Sequence, residues 1–295
     1  MRLREKVEKS CKEYGVYFIA EIGQNHQGEL SIAKEMVRSL VGTGVSAIKT
    51  AKRDIDTCLT EEQKVMLYDN PNSFGKTYYE HRKALELEKS DFIELIKFSK
   101  SLGFDFISSY TDSNSLNFLV DQKIDALKIA SQRLADVDLM NSSAKINMPF
   151  IISTGMSSQK EVDDIVKTFS EREKYLLQCT STYPCPLNEI DLRVITTYIK
   201  RYQNKIDGVG FSGHHTGIAA DIGAYMLGSK IIERHYTLDR SMKGTDHAGS
   251  LELKGVQNIL KYIQQIQMAL GSNSKIIHQS EKIALNKLRG DLLGK

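Results

Sequence analysis

The chain has 295 residues, which is enough for one large α/β barrel or for two ordinary domains. A hydrophobic content of 41% and a charged content of 26% are ordinary for a soluble globular protein, and a net charge of +3 with dispersed basic residues does not favour nucleic-acid binding. No apolar run is long enough to span a membrane, and the charged N-terminus lacks the apolar segment of a secretory signal. Four cysteines without zinc-type spacing predict free thiols in a reducing cytoplasm: Cys11, Cys58, Cys179 and Cys185.

Short apolar runs that predict buried strands alternate along the chain with segments of helical periodicity. The first strand, 16–23, ends in Glu and Gly and is followed by the polar turn QNHQG. The other strands are predicted at 45–49, 104–108, 126–130, 149–153, 175–179, 208–212 and 230–234. Helices are predicted at 31–40, 91–102, 113–120, 134–144, 188–201, 218–227 and 253–270, with one more opening at 157–161.

One long polar stretch, 50–88, interrupts this alternation. A loop of such length inside a compact domain is uncommon and usually functional. We therefore interpret the stretch as a long loop that could act as a lid.

Eight strands that alternate with helices, without a linker, predict a single α/β domain over 1–295. The predicted architecture is a closed (β/α)8 TIM barrel over about 16–270, with short charged extensions at both ends. Strands rich in β-branched and apolar residues fit a parallel sheet that is buried on both faces. An open, doubly wound sheet is the alternative, but no GxGxxG follows the first strand, which argues against dinucleotide binding.

Residues that could carry chemistry lie at the C-terminal ends of the predicted strands, which face one mouth in a barrel. A single histidine after a strand is more often structural than functional, but four of the seven histidines lie between 214 and 247. Imidazoles at two neighbouring strand ends, His214 and His235, with carboxylates nearby, favour a divalent metal. Lysines and hydroxyls at the other strand ends favour a phosphate or carboxylate, although a lone lysine can equally be the partner of a carboxylate. The mouth is therefore predicted to bind an anion and a metal together.

Seven segments in consistent order over about 16–270 carry a resemblance to a known family: FIAEIGQNHQG, SAIKTAKRD, ALKIASQRL, FIISTGMSS, CTSTYPCPLNEIDLR, GVGFSGHHTGI and IIERHYTLDRSMKGTDHAGSL. The chain resembles the sialic acid synthases, that is, N-acetylneuraminate synthase and its legionaminic and pseudaminic acid relatives. The resemblance implies that phosphoenolpyruvate attacks the aldehyde of an open-chain hexosamine such as N-acetylmannosamine. Water then adds and phosphate leaves, which gives a nine-carbon 2-keto acid.

The resemblance also implies roles for residues that match the family's motifs. His214 and His235 would hold a divalent ion, manganese or else magnesium or cobalt, that polarises the aldehyde oxygen. The implied substrate-binding set is Lys49, Ser109, Lys128, Ser131, Ser153, Ser181 and Ser212. The implied catalytic set, facing the sugar or the water on the metal, is Glu21, Tyr183, Glu233 and Asp246.

The chain departs from the family's pattern on the sugar side of the mouth. Ala51 stands where relatives often carry glutamine, which puts the identity of the sugar in doubt. Typical relatives append an antifreeze-like domain that supplies an arginine to the sugar across a homodimer. We expect this chain to lack that domain, which weakens the expectation of a homodimer and makes Arg53, Arg82 and Lys83 candidates to replace the missing cation.

Two alternatives to a sialic acid synthase stay open at this point. One is a related enzyme that condenses phosphoenolpyruvate with another aldose, as the 3-deoxy-heptulosonate and octulosonate synthases do. The other is a non-catalytic barrel with a binding or regulatory role, which the missing domain and Ala51 would favour.

Overall fold

The computed structural model of the protein describes residues 2–290. Eight parallel strands form one closed barrel in sequential order, which confirms the predicted (β/α)8 TIM barrel. The barrel closes where the last strand pairs with the first, with His235 opposite Glu21. The strands are β1 (Tyr17–Glu21), β2 (Ala47–Lys52), β3 (Asp105–Tyr110), β4 (Ala126–Ile129), β5 (Phe150–Ser153), β6 (Lys174–Cys179), β7 (Gly208–Gly213) and β8 (Ile231–His235).

Helices surround the barrel and cover the outward-facing side chains of its strands. Phe92 packs edge-on against Phe106 of β3, and Phe169 packs against Phe150 of β5, so the main core lies between the helices and the barrel wall. No helix within residues 2–290 is long and apolar enough to cross a membrane. The helices are α1 (Leu3–Tyr14), α2 (Leu30–Ser39), α3 (Ile55–Cys58), α4 (Glu61–Val65), α5 (Tyr78–Ala84), α6 (Lys89–Ser101), α7 (Ser113–Asp121), α8 (Val137–Ala144), α9 (Gln159–Thr168), α10 (Arg193–Arg201), α11 (Ala219–Met226), α12 (Leu253–Leu270) and α13 (Lys282–Arg289).

The N-terminal extension forms α1, which closes the barrel at the N-terminal ends of its strands. Leu3 and Val7 are buried in one cluster with inward-facing barrel residues such as Tyr17. Lys6 Nζ donates to Asp105 Oδ1 at 2.5 Å and to Asp125 Oδ1 at 2.7 Å, at the start of β3 and just before β4. We predicted only a charged extension here, because α1 is mostly polar and its partners are distant in the sequence.

Substituting Lys6 with methionine is expected to lower the free energy of unfolding by about 2 kcal/mol, because two largely buried carboxylates lose a charged donor. Urea denaturation of both forms measures the change. The matched control is Lys160→Met, which removes an exposed helical ion pair to Asp164 and should leave the midpoint almost unchanged. Equal effects of the two substitutions would show that α1 is not anchored through Lys6.

The stretch 50–88 is not the irregular loop that we predicted. It begins with the end of β2 and then forms three short helices, α3, α4 and α5. Capping boxes start two of them: the Thr60 and Thr77 hydroxyls accept hydrogen bonds from the backbone of Gln63 and Glu80, whose side chains bond back. Because the capping signals are local and the helices are only one or two turns long, helical periodicity did not reveal them.

The predicted helix over 188–201 is also shorter in the structure. A 3-10 turn at Leu187–Glu189 comes first, and α10 begins only at Arg193. Between them Asp191 adopts a left-handed backbone with φ of 51°, which interrupts the helix.

Candidate functional site

All of the predicted metal-binding, substrate-binding and catalytic residues line one cavity of about 380 Å³ at the C-terminal ends of the strands. The shared lining set is Glu21, Lys49, Ser109, Lys128, Ser131, Ser153, Ser181, Tyr183, Ser212, His214, Glu233, His235 and Asp246. Their convergence follows from the barrel, which brings all eight strand ends to one mouth. The roles that the resemblance gives to these residues stay predictions.

A buried network of two carboxylates and two lysines forms the floor of the cavity. Glu233 Oε1 accepts hydrogen bonds from Lys128 Nζ at 3.0 Å and from Ser212 Oγ at 3.3 Å, and Lys49 Nζ lies 3.8 Å from the same oxygen. Lys49 also donates to Glu21 on the adjacent strand β1. Burial alone would raise the pKa of Glu233, but the charges of Lys128 and Lys49 lower it to about 2. The carboxylate is therefore ionised, and its Oε2 is buried without a hydrogen-bond partner.

Hydroxyl groups from three strand ends converge beside Lys128. Ser153 Oγ is buried and has no hydrogen-bond partner among the described residues. A Cβ atom at Gly155 would clash with Ser181 Oγ and lie 2.7 Å from Ser131 Oγ, so only glycine leaves room for both hydroxyls at this point. The arrangement offers several donors to one small anion.

Cys179, the last residue of β6, also lines this part of the cavity, and we did not include it among the predicted site residues. Its Sγ lies 3.7 Å from both Ser131 Oγ and Ser181 Oγ and 3.9 Å from His214 Nδ1. Burial acts to raise the pKa of the thiol, but His214 and Ser131 outweigh it and lower the pKa to about 7. Its position at the end of a predicted strand could have identified Cys179 as a site residue.

The two histidines that we predicted as metal ligands face each other across the mouth. Their ring centroids are 5.5 Å apart. His214 Nδ1 lies 3.0 Å from the carbonyl oxygen of Thr180, so this nitrogen carries the proton and Nε2 has a free lone pair. His235 Nδ1 is buried without a hydrogen-bond partner and lies 3.8 Å from Asp246 Oδ2. Burial, aided by His214 and Lys49, lowers the pKa of His235 to about 4, so its imidazole is neutral near pH 7.

These residues would fit a divalent cation that is held through only two side chains. The described part of the chain, residues 2–290, contains no group of three or more His, Cys, Asp or Glu side chains placed to hold a metal. The free lone pair of His214 and the unpartnered nitrogen of His235 suit a cation such as Mn²⁺. The remaining coordination positions would be open to water and substrate, as in catalytic metal sites.

The other two histidines of the 214–247 segment are structural. His215 Nε2 lies 3.1 Å from Arg234 Nη1 and 3.3 Å from Asp221 Oδ2, in a cluster that is almost completely buried between β7, β8 and α11. His247 Nδ1 lies 2.7 Å from Thr237 Oγ1 and is also buried. The segment thus contains two candidate ligands and two histidines that pack in buried side-chain clusters.

Asp246 is held at the rim of the cavity by polar partners. Its Oδ2 accepts a hydrogen bond from Gln24 Nε2 at 3.3 Å, and its Oδ1 accepts one from Thr245 at 3.0 Å. Burial acts to raise the pKa of Asp246, but the neighbouring His235 and these hydrogen bonds lower it. We did not predict a role for Gln24, although its position directly after β1 was the signal.

Tyr183 covers the histidines from the outer side of the mouth. Its ring centroid lies 4.1 Å from that of His214 and 6.0 Å from that of His235. The side chain is 57% exposed, so it forms part of the rim and not of the floor.

Comparisons with known proteins agree with the fold. The NeuB family matches residues 36–275. The chain is 34% identical to N-acetylneuraminate-9-phosphate synthase of Homo sapiens, over 96% of this chain and 79% of that protein. It is also 34% identical to N,N'-diacetyllegionaminic acid synthase of Legionella pneumophila, over 88% of this chain and 74% of that protein. The crystal structure of N-acetylneuraminic acid synthetase from Leptospira borgpetersenii superposes with a TM-score of 0.79 at 28% identity, covering 95% of this chain and 93% of that one.

Proposed function

Because the chain belongs to the NeuB family, we propose that it condenses phosphoenolpyruvate with an open-chain N-acylhexosamine to give a nine-carbon 2-keto acid and phosphate. The observation that carries the proposal is the presence in one cavity of a lysine- and hydroxyl-lined anion site beside two facing histidines. The relatives' names leave the acceptor open, because proteins named for a 9-phosphorylated product and for a legionaminic acid match equally well, at 34% identity.

The floor of the cavity suits the two anionic groups of phosphoenolpyruvate. Lys49 and Lys128 are each paired with a buried glutamate, which fixes their position, and an ammonium group has three donors, so each keeps some for a ligand. The hydroxyls of Ser131, Ser153 and Ser181 supply neutral donors beside Lys128. The alkene carbon of phosphoenolpyruvate is itself the nucleophile, so no side-chain nucleophile is needed.

The histidine side of the cavity suits the aldehyde of the acceptor. A divalent ion held by His214 and His235 would supply Lewis-acid stabilisation to the alkoxide that develops on the aldehyde oxygen. Asp246, held by Gln24, accepts hydrogen bonds from the sugar hydroxyls, and Tyr183 covers the bound chain from the rim. Glu233 Oε2, buried and unpartnered, accepts a hydrogen bond from the water that adds to the former alkene carbon and so orients it.

The proposal is tested by phosphate release from phosphoenolpyruvate with Mn²⁺ and a panel of sugars. The panel contains N-acetylmannosamine, its 6-phosphate, diacetamido-trideoxyhexoses and mannose. We expect release that depends on one N-acylhexosamine, stops when EDTA is added and returns with excess Mn²⁺. No release with any sugar would contradict the proposed function, and release that EDTA does not affect would contradict the metal's role.

Replacing Lys128 with alanine is expected to raise the KM for phosphoenolpyruvate at least about tenfold and to change the KM for the sugar much less. The reason is that Lys128 is a buried cationic donor on the anion side of the cavity. Steady-state kinetics with each substrate varied in turn give the two constants. A change confined to the KM for the sugar would show instead that Lys128 binds the sugar.

Lys52→Ala is the matched control for this measurement. Lys52 is also a buried strand-end lysine paired with a glutamate, but its Nζ points to Glu86 and to the carbonyl oxygen of Leu87, and it does not line the cavity. Its removal should leave the KM for phosphoenolpyruvate unchanged.

A further inference from the structure

A second cavity of about 340 Å³ adjoins the mouth, with walls that include residues of α3, α4 and α5. Arg53, Arg82 and Gln132 line both cavities, so the two spaces are contiguous. Arg133 and several neutral donors complete the wall. Three guanidinium groups and no carboxylate are found among the described residues that line this second cavity.

The positive charge of two of these arginines is poorly compensated. Arg82 forms no salt bridge to any carboxylate of residues 2–290, and its Nη1 donates to the neutral Gln24 Oε1 at 2.6 Å. Arg53 Nη1 lies 3.4 Å from Glu86 Oε2, but Glu86 already accepts a hydrogen bond from Lys52 at 2.9 Å. The Glu86 carboxylate therefore serves both Lys52 and Arg53, and Arg82 has no carboxylate partner among the described residues.

Two of the three arginines also have unused hydrogen-bond donors. The Nε atoms of Arg53 and Arg133 are buried without a hydrogen-bond partner in the described structure. Burial, together with the charge of Arg53, lowers the pKa of Arg82. Unpaired buried donors and like charges that line one cavity are unfavourable, and a bound anion would relieve both.

The second cavity lies where the far end of the acceptor would extend. From His235, a line of polar contacts runs through Asp246, 3.8 Å away, to Gln24 and then to Arg82, through hydrogen bonds of 3.3 and 2.6 Å. Ala51, near the end of β2 and two residues before Arg53, lines the main cavity with only a small side chain. An acceptor whose aldehyde lies at the histidines would direct its last carbon toward the arginines.

On the basis of the proposed function, we propose that Arg53, Arg82 and Arg133 bind a phosphate group on the distal carbon of the acceptor. The acceptor is then a 6-phosphorylated N-acylhexosamine, and because three carbons are added at its aldehyde end, the product carries the phosphate on carbon nine. Planar guanidinium groups match a phosphate monoester, whose oxygens accept paired hydrogen bonds from several arginines. A neutral hydroxymethyl group would leave these donors unpaired.

Binding of a non-reactive acceptor tests this inference without turnover. The probes are the sugar alcohol of N-acetylmannosamine and its 6-phosphate, which lack the aldehyde, titrated calorimetrically into the protein with Mn²⁺ and phosphoenolpyruvate present. We expect the phosphorylated alcohol to bind at least about 100-fold more tightly. Equal affinities would overturn the inference, whether or not the protein proves to be a synthase.

The variants Arg53→Gln and Arg82→Gln should each reduce the advantage of the phosphorylated alcohol by about tenfold or more. The matched control is Arg193→Gln, at the start of α10, because Arg193 is exposed and lines neither cavity. Circular dichroism of each variant checks folding. An advantage that persists unchanged in both cavity variants would also overturn the inference.

Kinetics separate failure of the inference from failure of the proposed function. If unphosphorylated N-acetylmannosamine supports phosphate release as well as its 6-phosphate does, the enzyme is a synthase but the arginine site is wrong. If the phosphorylated alcohol binds tightly and depends on the arginines, yet no sugar supports phosphate release, the site stands and the proposed reaction fails.

Discussion

Replacing His235 with alanine should lower turnover by about a thousandfold or more while the barrel stays folded. His235 lies at the last position of β8, and its Nδ1 makes no hydrogen bond, so its loss removes little that holds the fold. Its imidazole, neutral near pH 7 and 5.5 Å from that of His214, is one of the two side chains that would hold the divalent ion. Turnover with saturating substrates and circular dichroism measure the two effects.

Binding of Mn²⁺, followed by electron paramagnetic resonance, separates a metal role from a purely structural one. The variant should lose most of its Mn²⁺ affinity. The matched control is His278→Ala, because His278 is exposed and lies beyond α12, far along the chain from the barrel strands. Full turnover with unchanged Mn²⁺ binding in the His235 variant would contradict the assignment of His235 as a metal ligand.

Replacing Asp221 with alanine should lower the free energy of unfolding by about 3–5 kcal/mol, the largest stability effect that we expect of a single substitution here. Asp221 is completely buried on α11, where its Oδ2 accepts a hydrogen bond from Arg234 Nη1 and lies 3.3 Å from His215 Nε2. Removing the carboxylate would leave the fully buried guanidinium of Arg234 without a counterion.

Urea denaturation measures this effect, with Asp164→Ala as the control. Asp164 also pairs with a cation, Lys160, but on the exposed surface, where ion pairs contribute little. A small loss in the Asp221 variant, equal to that of the control, would mean that water or a rearranged side chain compensates Arg234.

Much of the site could be read from the strand ends, because every strand of a closed barrel points its C-terminal end to one mouth. Because side-chain direction alternates along a strand, the sequence would also have separated cavity-lining residues from their outward-facing neighbours. Ser212, near the end of β7, and His214, directly after β7, both line the cavity, as do Glu233 and His235 of β8. The residues in between, Gly213 and Arg234, do not line it. The same rule places His215 with Arg234 in the outer, structural cluster.

Other features depend on contacts between distant segments and could not be predicted. The role of α1 rests on Asp105 and Asp125, which lie about one hundred residues away along the chain. Arg82 reaches the mouth only because α3, α4 and α5 fold the stretch 50–88 back toward it, and short capped helices give no long periodic signal. Of the three candidate cations that we named, Arg53 and Arg82 line the mouth, whereas Lys83 is exposed and lines neither cavity.

The most direct test of the proposed reaction is to run it in water enriched in ¹⁸O and to analyse both products by mass spectrometry. We expect one nine-carbon 2-keto acid for each phosphate released, and phosphate without label, because water adds to carbon and phosphate leaves with the bridging oxygen. Labelled phosphate without a condensed sugar would show instead that water attacks phosphorus, and that the barrel hydrolyses phosphoenolpyruvate without forming a carbon–carbon bond.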